Sequence, residues 1–244
     1  MRIKYEVLMI RSLVFLASVA LVVLLFQGYR RMDTVSAAAN SSAASSAPIV
    51  APAADDQLAG APGHATAVFA GGCFWGTQSV FQRVKGVTGT MAGYAGGAAD
   101  TATYDQVTTE TTGHAESVKV TYDPSKITYG TLLRIFFSVA HDPTTLNRQG
   151  NDVGTSYRSA IFYESEEQHK LAQAYIAQLD AAHVFHGKIV TQLTPLKGFY
   201  DAETYHQDYA TKNPNNPYIQ VCDVPKIHEL EAQFPELFQK YKGH

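Results

Sequence analysis

Residues 65–244 predict an α+β domain, a two-layer sandwich with a mixed sheet. Three observations carry this. Apolar runs with strand character and stripes with helical spacing both occur. They do not alternate in a strict βα repeat, and no internal repeat is visible. About 180 residues are also enough for one substantial core.

The elements follow in order. Thr66-Ala67-Val68-Phe69-Ala70 is a short apolar run that ends in Gly71-Gly72, which reads as a buried strand entering a tight turn. Residues 74–84 then read as a helix with Val80, Phe81 and Val84 on one face. From Glu116 to Tyr122 the pattern alternates, with Val118, Val120 and Tyr122 pointing one way, and Asp123-Pro124 stops it. A helix is expected over 128–140, capped by Thr128, with Leu132, Leu133, Phe136 and Phe137 facing inward. Residues 157–163 read as a strand. Ser165-Glu166-Glu167-Gln168 is a capping box that opens a helix striped by Leu171, Ala172, Tyr175, Ile176 and Leu179. A strand over 188–193, an aromatic-rich helix over 200–209 and an amphipathic helix over 225–241 complete the domain.

The chain ahead of this domain has two parts, 1–31 and 32–64. Ser12 to Tyr29 carries no charge and is just long enough to cross a bilayer as a helix. Arg2, Lys4 and Arg11 precede it, which keeps the N-terminus in the cytoplasm, although Arg30 and Arg31 weaken the asymmetry. Gln27-Gly28-Tyr29-Arg30-Arg31 makes a poor cleavage site, so an uncleaved anchor is favoured over a cleaved signal peptide. Either reading puts the domain outside the cytoplasm, with the periplasm as the expected compartment, or secretes it after cleavage. Residues 32–64 are rich in Ala, Ser and Pro and read as a flexible linker.

Composition excludes several classes. Charged residues are 17% and the apolar set 45%, unlike a disordered chain. A net charge of −3 with no basic stripe argues against nucleic acid. Two cysteines, Cys73 and Cys222, are too few for a disulfide framework. No Cys or His pair has zinc-finger spacing, and no Gly-rich run cradles phosphate.

Chemistry concentrates around Cys73. A strand, a turn and a helix place it at a helix N-terminus, where free N–H groups and the helix dipole favour a thiolate. Phe74 and Trp75, the single tryptophan, follow on what reads as an exposed turn and suit a cage for an apolar methyl group. A small buried thiol is the bland alternative. Glu116 shares the parity of Val118 and Val120, so its carboxyl starts the inward row, where burial would hold a proton near neutral pH. A carboxylate bending out to water fits the same strand. Asp152 in Gly150-Asn151-Asp152-Val153-Gly154 can orient a water or a tyrosine, though loop aspartates more often form turns. Tyr104 and Tyr157 can donate to an oxyanion, and each alone reads equally as a core aromatic.

Together these residues resemble a family. Gly72-Cys73-Phe74-Trp75-Gly76 is similar to the signature of peptide methionine sulfoxide reductases of the A type. The resemblance runs on through Gly93-Tyr94-Ala95-Gly96-Gly97, Thr103-Tyr104, Gly113-His114-Ala115-Glu116 and His141-Asp142-Pro143. It continues through residues 148–161, through Phe199-Tyr200-Asp201-Ala202-Glu203-Thr204-Tyr205-His206-Gln207, and ends at Pro217-Tyr218-Ile219. The fold this implies is a ferredoxin-like core with extensions. The roles it implies are Cys73 as nucleophile and Glu116 as proton donor, with Tyr104, Asp152 and Tyr157 holding the sulfoxide oxygen and a nearby water. Phe74 and Trp75 would form the methyl-binding wall, and His206 would be an accessory residue near the substrate. The implied substrate is the S epimer at sulfur, free or within oxidised proteins and peptides. The expected reductant is an external dithiol such as a thioredoxin-like protein, with no bound cofactor, no metal and a monomeric chain.

In one respect the chain departs from many members, which carry a resolving cysteine in a Gly-rich C-terminal tail. Here Cys222 lies in Gln220-Val221-Cys222-Asp223-Val224-Pro225, just before the last helix. It stands as a candidate resolving thiol, beside the alternatives of a spare buried thiol and a disulfide to Cys73. Two rival functions remain open on the residues alone. A Cys-His hydrolase or acyltransferase would use His114, His141 or His206 beside Cys73. A non-catalytic binder of oxidised methionine would not need the thiol.

Overall fold

The computed structural model describes residues 48–241 and 243. Residues 12–29, read above as a membrane segment, lie outside the described residues. Among the described residues no helix is long and apolar enough to cross a membrane.

The described domain is built on one six-stranded sheet. Its core is β1 (Ala65–Gly71), α1 (Phe74–Phe81), β2 (Val87–Ala95), β3 (Ala115–Tyr122), α3 (Tyr129–Ile135) and β6 (Ser159–Tyr163), with a four-residue helix α2 (Tyr104–Val107) between β2 and β3. A small hairpin, β4 (Arg148–Gln149) and β5 (Asp152–Val153), precedes β6. The long helix α4 (Glu166–Ala181) follows, then β7 (Gln192–Pro195), β8 (Phe199–Asp201), α5 (Tyr209–Lys212) and α6 (Val224–Gln233). The strand order is β7-β6-β1-β3-β2-β8. Neighbours are antiparallel except β6 and β7, so the sheet is mixed. The inner four, β6-β1-β3-β2, have the order of a ferredoxin-like core, and β7 and β8 extend its two edges.

The alternation read from the sequence is what separates the two faces. Ala67, Phe69, Val118, Val120 and Ile161 join the main core beneath α1, α3 and α4. Val68, Ala70, Ala115, Ala160 and Phe162 form a smaller cluster on the opposite face. Phe69 sits at the centre of the main core, stacked 4.9 Å from Phe136 and 5.2 Å from Phe81, with no exposure. Phe69→Ala should cost about 3–5 kcal/mol through lost burial and the cavity left behind. That corresponds to a fall of roughly 10 °C in the thermal midpoint, read by circular dichroism. A shift under about 2 °C would show that Phe69 is not the keystone of this core.

The caps behave as their chemistry requires. The Thr128 hydroxyl accepts from the Thr131 N–H at 3.1 Å. The Ser165 hydroxyl accepts from Gln168 N–H at 3.1 Å, and the Gln168 side chain reaches back to the Glu164 N–H at 2.9 Å.

Several expected elements differ. The helix expected over 74–84 ends at Phe81, and that over 128–140 passes into a π-turn at Phe136–Ala140. The strand expected over 188–193 forms at Gln192–Pro195 instead, in parallel with β6. The helix expected over 200–209 does not form. Phe199–Asp201 is instead an edge strand on β2, followed by a 3-10 turn at Thr204–His206. The Gln207 amide explains this, because it both donates to and accepts from the backbone of Ala92, at 2.9 Å each way, and so holds the segment to the sheet. The last helix stops at Gln233 rather than running to 241, because Phe234 precedes Pro235 and is pushed out of the helical region. β2 carries no strong strand signal. Two glycines interrupt its sequence, and Gly93 is required there because a Cβ would lie 2.4 Å from the Tyr200 carbonyl.

Of the linker expected over 32–64, residues 32–47 lie outside the described residues, and the rest is not a free linker. From Ile49 to Gly63 the chain runs as a strap against the domain. Tyr175 Oη donates to the Val50 carbonyl at 2.7 Å, and the Gln178 side chain bonds Ala51 and Ala53. Asp55 accepts from Gly130 N–H at 2.7 Å and Asp56 from Tyr129 N–H at 2.9 Å, which satisfies the open N-terminus of α3. These are backbone and carboxylate bonds, which hydrophobic periodicity does not register. Residues 55–63 of the strap meet the domain near Asp123 to Gly130, at the far end of β3 from Glu116, while residues 49–53 lie along α4 at Tyr175 and Gln178 and against Arg134.

Candidate active site

β1 delivers Gly71 and Gly72 to a turn only glycine fits. Gly72 has φ +85°, and a Cβ there would lie 2.5 Å from the Gln149 side chain. Cys73 follows as the N-cap of α1. On the adjacent strand β3, Glu116 pairs with Tyr94 of β2, and its side chain lies on the inner face. Its Oε2 accepts from the Phe74 N–H at 3.0 Å. The carboxyl therefore sits on the first turn of the helix that Cys73 caps.

A cavity of about 160 Å³ opens here. Cys73, Phe74, Trp75, Tyr104, Glu116, Asp152, Tyr157 and Tyr218 line it. The structure thus brings together all five expected catalytic residues and both expected methyl-wall aromatics, from widely separated parts of the chain. Phe74 is not on an exposed turn, because it is 1% exposed and its ring packs 5.0 Å from His206 and 5.9 Å from Tyr94. It reaches the cavity from the core side. Trp75 stacks on Tyr209 at 3.7 Å and donates its indole N–H to His206 Nδ1 at 3.1 Å. His206 does not line the cavity. It backs Trp75, Phe74 and Tyr104, and so acts on the wall rather than on a ligand.

The hydroxyl donors have their own supports. Tyr104 opens α2, its N–H donates to Glu203 Oε1 at 2.8 Å, and Glu203 Oε2 accepts from the Tyr94 hydroxyl at 2.8 Å. Asp152 lies in β5 rather than in an open loop, and Tyr157 ends a 3-10 turn before β6. Asp152 Oδ2 accepts from the Tyr218 hydroxyl at 2.5 Å. The sequence reading gave Tyr218 and Glu203 no role, although both sit in the motif stretches quoted for the family. Pro217-Tyr218-Ile219 following Asp152 by more than sixty residues offered no spacing signal, because only the fold makes them neighbours.

Electrostatics follow from burial. Glu116 is 3% exposed, and burial pushes its carboxyl up to about 8. The Phe74 N–H opposes this shift and the Asp152 charge adds to it. The helix N-terminus was expected to favour a Cys73 thiolate. Burial instead pushes the thiol well above its ordinary value, and the charges of Glu116 and Asp223 add to this. The Trp75 N–H and the Tyr218 hydroxyl pull the other way and do not win. Burial likewise raises Tyr104, Tyr157 and Tyr218, which stay protonated and serve as donors.

No histidine is hydrogen-bonded to Cys73 among the described residues. His114 bonds Gly97 and Ala98, His141 bonds Phe136 and Ser159, and His206 takes the Trp75 indole. A carboxyl, not an imidazole, faces the thiol turn, which removes the basis for a Cys-His hydrolase. Cys222 lies in a π-turn at Ile219–Asp223, partly buried, and both cysteines are free thiols. No disulfide silences Cys73.

The model of the peptide methionine sulfoxide reductase family matches residues 65–237. This chain belongs to that family. It is 57% identical over 180 residues to peptide methionine sulfoxide reductase MsrA 2 of Mesorhizobium japonicum, covering 74% of this chain and 92% of that protein. It is 50% identical to MsrA of Sulfolobus acidocaldarius, covering 70% and 95%. Among solved structures it is similar to methionine sulfoxide reductase A of Corynebacterium diphtheriae, with TM-score 0.55 and 38% identity, covering 64% of this chain and 78% of that one. Mxr1 of Saccharomyces cerevisiae in its reduced form gives TM-score 0.57 and 35% identity, covering 67% and 92%. The mixed sheet with flanking helices is therefore the family's fold, and the cavity around Cys73 lies inside the matched span.

Proposed function

We propose that this chain reduces the S epimer of methionine sulfoxide, free or in polypeptides, through Cys73 and Glu116. The observation that carries the reading is the buried, proton-holding Glu116 bonded to the first turn of the Cys73 helix. A sulfoxide oxygen leaves sulfur only once it is protonated. Sγ of Cys73 bonds to the substrate sulfur while Glu116 gives its proton to the oxygen. The oxygen then passes to Sγ as hydroxyl. Methionine leaves as the thioether, reduced by two electrons, and Cys73 becomes a sulfenic acid, oxidised by two. The proton of the Cys73 thiol replaces the one Glu116 gave, so the step is balanced. Tyr104 and Tyr157 donate to the oxygen as its charge grows, and Asp152 fixes the Tyr218 hydroxyl at the edge of the cavity. Phe74 and Trp75 receive the methyl group.

A thiol then condenses with the sulfenic acid, releasing water and leaving a disulfide. Cys222 serves as that thiol where it reaches Cys73, and an external dithiol of the thioredoxin kind finishes the cycle. The biological outcome is repair of oxidised proteins. The uncharged run at 12–29 supports a membrane tether with the domain in the periplasm.

The test is steady-state turnover of separate S and R sulfoxides of a methionyl peptide with excess dithiothreitol, alongside Cys222→Ser. Turnover of the S epimer alone is expected. Cys222→Ser should keep the first turnover and slow only with a protein dithiol as donor. Equal turnover of both epimers would overturn the assigned specificity.

A further inference from the structure

We propose that Glu110 is a positioning residue that sets Tyr157 and Asp152 at the sulfoxide oxygen. The inference rests on the oxygen-binding roles given above to those two residues.

Glu110 follows α2 in the run Thr108-Thr109-Glu110-Thr111-Thr112. Its N–H donates to the Val107 carbonyl at 3.0 Å, and its backbone then turns left-handed, with φ +63°. That region suits glycine, asparagine or aspartate, and a glutamate held there costs energy. A residue kept in a strained conformation needs a compensating interaction, and the side chain supplies it.

The carboxylate reaches the turn that links β5 to β6. Oε2 accepts from the Ser156 N–H at 2.7 Å and from the Thr155 hydroxyl at 3.0 Å. Oε1 accepts from the Ser156 hydroxyl at 2.7 Å, and the Glu110 carbonyl accepts from the Thr155 hydroxyl at 3.2 Å. Ser156 is 2% exposed, so these are sheltered bonds. Gly154 is shaped to them, since a Cβ there would lie 2.3 Å from the Glu110 carboxyl carbon. The turn is wrapped around one carboxylate. Asp152 lies two residues before Gly154, and Tyr157 directly follows Ser156. Both line the cavity.

α2 therefore acts as a short beam between the two oxygen donors. Tyr104 opens it, fixed by Glu203, and Glu110 at its other end holds the turn that carries Tyr157. Arg158 ties the same turn to β3 from the other side, donating to the carbonyls of Thr155, His114 and Gly113. Loss of the Glu110 carboxylate frees the Ser156 end of the turn while leaving Cys73 and Glu116 in place. Small misplacements of positioning groups reach rate effects of about a hundredfold.

The experiment compares Glu110→Ala, Glu110→Gly and Glu110→Gln with Tyr157→Phe and the full wild-type chain. It measures kcat and kcat/KM on the peptide S-sulfoxide, the rate of Cys73 alkylation, and the thermal midpoint. Glu110→Ala should lose about tenfold or more in both kcat and kcat/KM, with the alkylation rate unchanged. Glu110→Gln keeps a carbonyl oxygen for the Ser156 N–H and should stay within about threefold of wild type. Glu110→Gly relieves the backbone strain, so it should melt above Glu110→Ala yet be equally slow. A merely structural role cannot separate stability from rate in this way. Turnover within twofold of wild type in the Ala and Gly variants would overturn the proposal. So would a Gln variant no better than Ala, or a Tyr157→Phe enzyme as fast as wild type, the last outcome also removing the oxygen-binding role beneath it.

Discussion

Cys73→Ser should abolish turnover while leaving the fold intact. A serine hydroxyl ionises far less readily than a thiol and attacks sulfur poorly, and it has no sulfenic rung to receive the oxygen. The loss expected on removing a nucleophile outright is at least about 10⁴-fold. Cys73 is 9% exposed at the N-cap of α1, and serine is both smaller and a better cap, so the thermal midpoint should hold or rise slightly. The check has two parts. Turnover of the S-sulfoxide is measured, and a sulfenic-acid trap is added after one equivalent of substrate without reductant. Wild type should release one methionine per chain, and with Cys222→Ser, which removes the second thiol, the chain should also label at residue 73; Cys73→Ser should do neither. If the variant binds the sulfoxide and turns it over at even a tenth of the wild-type rate, the chemistry does not run through Cys73, and a non-catalytic role for the thiol returns.

Much of this site was legible in the sequence because its residues mark their own backbone. Gly71-Gly72 before Cys73 announces a turn that the +85° φ of Gly72 then realises. The parity of Glu116 with Val118 and Val120 fixes its face, since successive residues of a strand alternate. The rest depended on groups that carry no local pattern. β2 has two glycines and no strong strand pattern, yet it pairs with β3 along its length, and Gly93 is what lets β8 approach its other edge. The segment after Phe199 has helical spacing of aromatics, but the Gln207 amide commits it to the sheet. The Cys73 thiol departs from the thiolate that its helix position favours for a related reason. A helix N-terminus is visible in sequence, whereas the burial and the charges of Glu116 and Asp223 that outweigh it are assembled only by the fold. Composition likewise marked 48–63 as linker, though Asp55 and Asp56 dock it on α3.

Glu116→Gln carries the second large effect, and it separates activity from stability. An amide fills the same space but cannot give up a proton as an acid, so kcat/KM should fall about 10²- to 10⁴-fold. Burial raises the carboxyl from 4.5 to about 8, and the protonated form is the active one. Wild-type activity should therefore persist below pH 8 and fall above it by about tenfold per pH unit, and this limb should be missing in the glutamine variant. Stability moves the other way. Because the folded pKa is the higher one, the native state binds this proton more tightly than the unfolded chain does. The stability it contributes is complete below pH 4.5 and is lost as pH climbs through 8. At pH 9 the wild type must bury a charge, with one N–H as its hydrogen-bond donor, and the glutamine variant does not. Glu116→Gln should then melt higher than wild type at pH 9, by an amount worth a few kcal/mol, and the advantage should shrink toward pH 5. A variant within threefold of wild-type activity, or one that melts lower at pH 9, would mean that residue 116 neither holds the catalytic proton nor bears the strain of its burial.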